Sequence, residues 1–131
     1  MTRSELIRRM VLNAMCDDFE NIDQIILPVV ARDCAKLGFS VERAEIVQTV
    51  SELVKEGLAK AYDLSGDKRD PFSGELPGMP PVDIVEEYFK TYFYPTKKGM
   101  DFHRSDDTWS PFDDDDNVVP DWRLDPPPAS G

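Results

Sequence analysis

Prolines set where this chain can be helical. Pro28 stands alone in the first 70 residues, whereas Pro71, Pro77, Pro80 and Pro81 crowd one stretch. Pro111, Pro120 and the run Pro126-Pro127-Pro128 then punctuate the C-terminal end. A proline inside a helix removes an amide donor and drives its ring into the carbonyl four residues back. Long helices are therefore expected before the first proline cluster, a loop over 66–81, and an irregular segment after Arg104.

The N-terminal part carries three helical patterns. Leu6, Ile7, Met10, Val11, Ala14 and Met15 recur at the spacing of one helix face, which predicts a helix over about 3–16. Thr2 and Glu5 have the spacing of a capping box, and Asp17 and Asp18 oppose the dipole at the far end. A second stretch spans about 22–37, with Asn21 as cap and Ile22, Ile25, Ile26, Val29, Val30, Cys34 and Leu37 on one side. Pro28 either kinks it or, as the preferred reading, a short turn ends near Leu27 and Pro28 opens a new helix at its first position. Gly38 supplies a left-handed terminus. A third helix, about 41–56, is expected to start from Ser40 as N-cap, bury Ile46, Val47, Val50, Leu53 and Val54, and end at Gly57.

The pattern then changes. Leu58–Leu64 reads as a strand followed by a turn at Ser65-Gly66-Asp67. Asp83 and Glu86 suggest a capping box for a short helix carrying Ile84, Val85, Tyr88 and Phe89. Thr91–Tyr94 is aromatic and extended, and is expected to pair with 58–64. Thr96 can cap a last helical turn from Lys97 to about His103.

Charge divides the 131 residues unevenly. Residues 1–104 hold 14 basic and 18 acidic groups, and residues 105–131 hold 1 and 8, for a total of −11. The division predicts a domain over 1–104 and an acidic, proline-rich tail over 105–131. A field of that sign repels nucleic acid and anionic lipid in general, which excludes a histone-like coat or a polybasic membrane binder. Cys16 and Cys34 lie in helical patterns without metal-ligand spacing, and a lone His103 cannot complete a zinc site, so reduced core thiols are expected. No leader-type apolar core follows Met1, which points to the cytoplasm.

Three stretches resemble a winged helix-turn-helix domain. Leu37-Gly38-Phe39-Ser40 looks like the step between its second and third helices. Val50 to Tyr62 looks like the end of a recognition helix, a glycine and the first wing strand. Tyr92-Phe-Tyr-Pro-Thr-Lys-Lys-Gly-Met100 looks like the segment that closes the wing. Phenolic-acid-repressor-like and multiple-antibiotic-resistance-like transcription regulators share such a segment. The likeness spans roughly 4–104 and implies a mostly α fold with a small β-wing. Against that pattern, the wing is elaborated by an insertion at about 65–90, the tail has no counterpart, and the long C-terminal dimerisation helix is missing.

The resemblance implies that the outer face of the third helix meets DNA. Here that face holds Glu42, Glu45, Gln48, Thr49, Glu52, Lys55 and Glu56. Only Gln48 and Thr49 are suited to reading bases, while Arg43 turns toward the apolar side. Lys68, Arg69, Lys97 and Lys98, with Arg104, are the candidate phosphate contacts. The alternative is a protein partner bound by Glu42, Glu45 and Glu52 together with Trp109, Phe112 and Trp122 of the tail. Tyr88, Phe89, Tyr92 and Phe93 form an aromatic group suited either to self-association or to packing the insertion onto the core. Asp113-x-Asp115-x-Asn117 begins like a calcium loop, but Val118 and Leu124 stand where glycine and a bidentate glutamate belong. The tail is expected to pack near the basic wing residues as an internal competitor for phosphate.

Together these readings predict a non-enzymatic module without metal or cofactor. It resembles a transcription regulator, with DNA disfavoured by charge, a protein partner or homodimer as the other reading, and no membrane contact.

Overall fold

The structure, a computed structural model, describes residues 1–66, 69–83 and 90–125. Its elements are α1 (Arg3–Ala14), a π turn (Ile22–Ile26) running into α2 (Leu27–Lys36), and α3 (Arg43–Lys55). After these come β1 (Ala59–Asp63), a 3-10 turn (Pro71–Gly74), β2 (Thr91–Pro95) and α4 (Lys97–Arg104). The fold is mostly helical, with one two-stranded antiparallel sheet. The expected helix carrying Ile84 to Phe89, Lys68 and the terminal proline run lie outside the described residues. No helix among the described residues is long and apolar enough to cross a membrane.

α1 begins with the capping box expected of Thr2 and Glu5. The Glu5 amide donates to Thr2 Oγ1 at 3.1 Å and the Thr2 amide to Glu5 Oε2 at 3.0 Å. The apolar stripe is buried, and so is Leu12, which lies off it. The reason is tertiary: α1 packs against α3 and α2 and also against α4. The Arg9 guanidinium lies 4.0 Å from the centroid of the Phe102 ring and donates to the Phe102 carbonyl at 2.9 Å.

The chain stays helical through Pro28. The expected turn ends at Ile26 and α2 opens at Leu27 with Pro28 among its first residues, but Ile26 and Leu27 both hold right-handed helical angles, so the turn is a wide helical one that merges into α2 without a break. The Ile26 amide reaches back five residues to the Asn21 carbonyl, at 3.1 Å. That extra residue in the turn gives the proline ring room where a regular turn would set it against the Gln24 carbonyl. Asn21, buried, caps the turn by accepting from the Asp23 and Gln24 amides.

α2 and α3 end alike. Gly38 and Gly57 take φ of 91° and 77°. The Phe39 amide bonds the Cys34 carbonyl, and Leu58 bonds Leu53, closing a Schellman motif at each helix end. α3 starts later than expected. Its N-cap is Glu42, with no side-chain cap bond, and not Ser40. Ser40 stays outside the helix and offers its carbonyl to Arg3, at 2.9 Å. Val41 and Ile46, one residue before the cap and four into the helix, both join the core, the placement of a hydrophobic staple. Packing across that staple outweighs the better capping chemistry of a serine.

In the sheet, Ala59 pairs with Pro95, Ala61 with Phe93 and Tyr62 with Tyr92. Ala59, Ala61 and Phe93 face inward and are buried. Neither edge is open. Glu20 exchanges two backbone hydrogen bonds with Phe93, at 2.8 and 3.0 Å, and the Leu76 amide bonds the Ala61 carbonyl. α4 is locked to the start of β1. Thr96 Oγ1 accepts from the Gly99 amide and donates to the Gly57 carbonyl at 2.6 Å. A Cβ on Gly99 would stand 1.9 Å from the Leu58 carbonyl oxygen, so the Thr-Lys-Lys-Gly run is a packing device.

The tail is docked. Leu124 is 5% exposed, and the Asp125 amide bonds the Met1 carbonyl at 2.9 Å. Lys36 meets Asp116 at 2.5 Å. The tail therefore contacts the start of α1 and the end of α2. Of the basic residues expected beside it, Lys97 meets Asp101 at 3.0 Å, Lys98 donates to the Glu56 carbonyl at 3.0 Å, and Arg104 lines a cavity with Asp106, Asp107 and Trp109 of the tail.

Candidate functional site

Three surfaces hold the candidate residues. On α3, Glu42, Gln48, Glu52, Lys55 and Glu56 are exposed. Gln48 Nε2 donates to Glu52 Oε1 at 3.1 Å, so the expected base reader is held by its own helix. Glu45 is half-buried and paired with Arg3 at 2.7 Å. Glu56 pairs with Arg8, also at 2.7 Å. Thr49 does not face solvent. It is 7% exposed, and its hydroxyl donates to the Glu45 carbonyl at 2.9 Å. Angular counting puts Thr49 on the outer face, but α1 packs over that flank. Arg43 also has its head engaged: it meets Asp23 at 2.6 and 2.9 Å, Asp83 at 3.1 Å and the Val82 carbonyl at 2.6 Å.

The second surface is the groove beneath the tail. Trp109, Phe112 and Trp122 are partly buried against the core. Lys36 Nζ sits 5.3 Å from the Phe112 ring centroid. The aromatics proposed for a partner thus turn apolar surface toward their own chain. Asp113 closes a tight turn, its Oδ1 accepting from the Asp115 and Asn117 amides at 2.9 and 3.0 Å. This is a self-capped loop, with Asp116 at φ 66°. A cavity of about 610 Å³ remains between tail and helices, lined by Arg32, Asp33, His103, Trp109 and Phe112 among others. His103 is half-buried, and its Nδ1 has no hydrogen-bond partner among the described residues. Burial first, then Arg9 and Arg104, hold its pKa below the ordinary value. Burial likewise pushes Cys16 up to about 11 and Cys34 up to about 12, which keeps both thiols protonated and poorly nucleophilic.

The third surface is the outer face of the sheet. Phe19 stacks on Tyr94 at 4.7 Å and meets Tyr62 and Phe72 edge-on at 5.0 and 5.2 Å. Phe72 also stands edge-on to Tyr62 and Tyr94, at 5.8 and 5.6 Å. Tyr62 is buried under this group, while Phe72 is 54% exposed. Phe93, of the aromatic group suited either to self-association or to packing onto the core, is fully buried on the inner face; Tyr92 is half-buried, and Tyr88 and Phe89 lie outside the described residues. Alternation along β2 was the available signal for Tyr94. Phe19 sits in an acidic loop and Phe72 in a proline-rich one, so no local periodicity marks either.

Asp18 and Glu20 flank Phe19 in sequence, and the antiparallel bridge of Glu20 to Phe93 sets the Glu20 side chain on the inner side of the sheet, opposite Phe19. Asp63 and Asp70 lie beside Tyr62 and Phe72 along the chain. Burial, Asp18 and Asp17 raise the Glu20 pKa in that order. Two hydrogen bonds from Ser65 lower that of Asp63. Lys60 is paired with Glu75. Asp17, Asp18 and Glu20 have no ion-pair partner among the described residues. Arg69 is exposed nearby in sequence.

No protein-family model, no curated protein and no solved structure matches this chain.

Proposed function

We propose that the chain is a non-enzymatic winged-helix module acting in the cytoplasm, and that its target is a protein bound across the outer ridge of α3. The order of three helices, strand, strand and helix supports the winged-helix reading, with Gly57 handing α3 directly to β1. The observation that carries the choice of target is the state of α3 itself. Glu42, Glu52 and Glu56 are exposed beside one lysine, Gln48 is held by Glu52, and Thr49 is buried. A duplex docked there would bring phosphates onto Glu42 and Glu52, which have no ion-pair partner among the described residues, and Lys97 and Lys98 would first have to leave their own partners.

The test has two arms, both on the full chain. In the first, a labelled duplex is titrated at low salt and followed by anisotropy. We expect no saturation across the range of about 10⁻⁶ to 10⁻⁴ M where non-specific binders respond. In the second, Glu42→Lys with Glu52→Lys should abolish retention of the partner captured by the parent chain. Saturable, salt-sensitive DNA binding would transfer the chain to the transcription-regulator reading.

A further inference from the structure

We infer that the cavity beneath the docked tail is a binding site for a small organic cation of the quaternary-ammonium class, with the Trp109 and Phe112 rings as walls and tail carboxylates as counter-charge. This rests neither on the α3 ridge nor on the kind of target bound there.

The cavity forms where the tail turns back on the helices. Met10 of α1 and Val29 of α2 line it from the body, and Trp109 and Phe112 line it from the tail. Its volume of about 610 Å³ is that of a small-molecule pocket. Both rings pack against the core yet are only partly buried, so docking of the tail leaves the space between them and the helices unfilled.

Charge selects the sign of the occupant. The carboxylates of Asp33, Asp106, Asp107, Asp113 and Asp116 line the cavity, against the guanidiniums of Arg32 and Arg104. Asp33 pairs with Arg32 at 3.4 Å, and Asp116 pairs with Lys36 at 2.5 Å. That leaves Asp106, Asp107 and Asp113 with Arg104, and none of these four has an ion-pair partner among the described residues. His103 also lines the cavity but adds no charge at neutral pH, because burial first, then Arg9 and Arg104, hold its pKa below the ordinary value. Asp106 stays ionised: its Oδ1 accepts from the Thr108 hydroxyl and amide at 2.6 and 2.8 Å, which lowers its pKa. The lining is therefore short of positive charge. An anion entering it is repelled, and a cation completes it.

The rings select among cations. An aromatic face attracts positive charge through its quadrupole, and tryptophan does so most strongly. The Phe112 ring already takes one cation, with Lys36 Nζ 5.3 Å from its centroid. Trp109 has no such cation over it among the described residues. Oδ1 of Asp106 is occupied by Thr108, and Oδ1 of Asp113 accepts from the Asp115 and Asn117 amides at 2.9 and 3.0 Å. The cavity thus offers ring faces and net charge more than free acceptors. A quaternary ammonium suits that balance, because it carries full charge and has no N–H group left to satisfy.

The experiment titrates choline into the isotope-labelled full chain at physiological salt, where diffuse attraction by a net charge of −11 is largely screened. The readout is the pair of tryptophan indole N–H resonances, assigned with Trp109→Phe and Trp122→Phe. Up to about 10 mM choline, where a millimolar site saturates, the Trp109 signal should shift along a saturable curve. Trp122 does not line the cavity, so its signal should stay in place. Dimethylbutanol, the uncharged carbon isostere of choline, should bind more weakly by about fivefold or more. For the variants, binding is followed by calorimetry and folding by melting temperature. Trp109→Leu should weaken choline binding by about fivefold, and Trp109→Phe, which keeps a ring, by less. Asp107→Asn should weaken it by about two- to threefold, and Arg104→Gln should tighten it by about twofold. These two substitute exposed side chains and carry the test if Trp109→Leu fails to fold. Asp114→Asn, the same charge change in the tail away from the cavity, should leave affinity unaltered.

Absence of a saturable Trp109 shift would overturn the site. Equal binding of dimethylbutanol would overturn the cation, and weaker binding by Arg104→Gln would reverse the sign of the occupant. Equal losses from Asp107→Asn and Asp114→Asn would mark diffuse charge and also sink the site. The ridge substitutions Glu42→Lys and Glu52→Lys should leave choline binding intact, so the ridge reading and this site stand or fall separately.

Discussion

The outer face of the sheet and the docked tail are made of the same materials and use them in opposite ways. Both combine aromatic rings with several aspartates or glutamates. In the tail, Trp109, Phe112 and Trp122 turn inward, and Asp116 finds Lys36. On the sheet, Phe72 turns outward and stays 54% exposed against three other rings. Acidic-aromatic composition is therefore no guide to whether a segment binds its own chain or another. The deciding factor is whether the fold supplies a neighbouring apolar groove and a lysine. The α1–α2 side supplies both to the tail.

Four perturbations break or sharpen this contrast. The largest effect belongs to Phe93→Ala, which removes the inner support of the sheet. A fully buried phenylalanine truncated to alanine costs about 3–5 kcal/mol, read as a lowered denaturant midpoint. Leu124→Ala tests the tail in the same way. Leu124 is 5% exposed and joins the core, so about 2–4 kcal/mol should be lost. A loss below about 0.5 kcal/mol, the scale of an ordinary surface change, would show the tail undocked in solution.

A smaller effect follows from His103. Its folded pKa is lowered by burial, with Arg9 and Arg104 adding to the shift, so the folded chain binds a proton less readily than the unfolded one. The contribution is complete above the unfolded value of about 6.5 and is lost as pH falls through it. Stability should decline as pH falls below about 6.5, and His103→Gln should flatten that slope in thermal melts. An unchanged slope would place the titrating group elsewhere. The smallest effect is expected of Lys36→Ala. The pair with Asp116 is exposed on the carboxylate side, so double-mutant cycles with Asp116→Asn should give a coupling of about 0–1 kcal/mol. A larger value would mean that the ion pair, rather than Leu124, holds the tail.

Much of the framework was legible along the chain. The Thr2–Glu5 box, the Asn21 cap, the glycine termini at Gly38 and Gly57, the pairing of the two strands and the Thr96 cap all depend on neighbours within a few residues or on one alternating pattern. Such features follow from backbone donors that must be satisfied locally. Ser40 shows the limit of that logic. It has good capping chemistry, yet Val41 and Phe39 packing and the Arg3 contact carry the chain past it to Glu42. Thr49 shows another limit, because helical angle alone does not say which flank a neighbouring helix will cover.

The candidate sites were less legible than the fold. Glu42, Gln48 and Glu52 stand on the outer face of α3 as their spacing implies. The ring cluster of Phe19, Tyr62, Phe72 and Tyr94 joins residues from four separate segments, and no local pattern links them. Sequence alone determined the glycine ends of two helices, the strand alternation and the acidic, proline-rich composition of residues 105–131, because hydrogen-bond satisfaction, side-chain period and charge act over short range. Only the tertiary structure decided where the tail lies, which flank of α3 is covered and which aromatic ring stays in water. Those outcomes depend on contacts between distant segments, where burial of whole surfaces outweighs any one residue's preference.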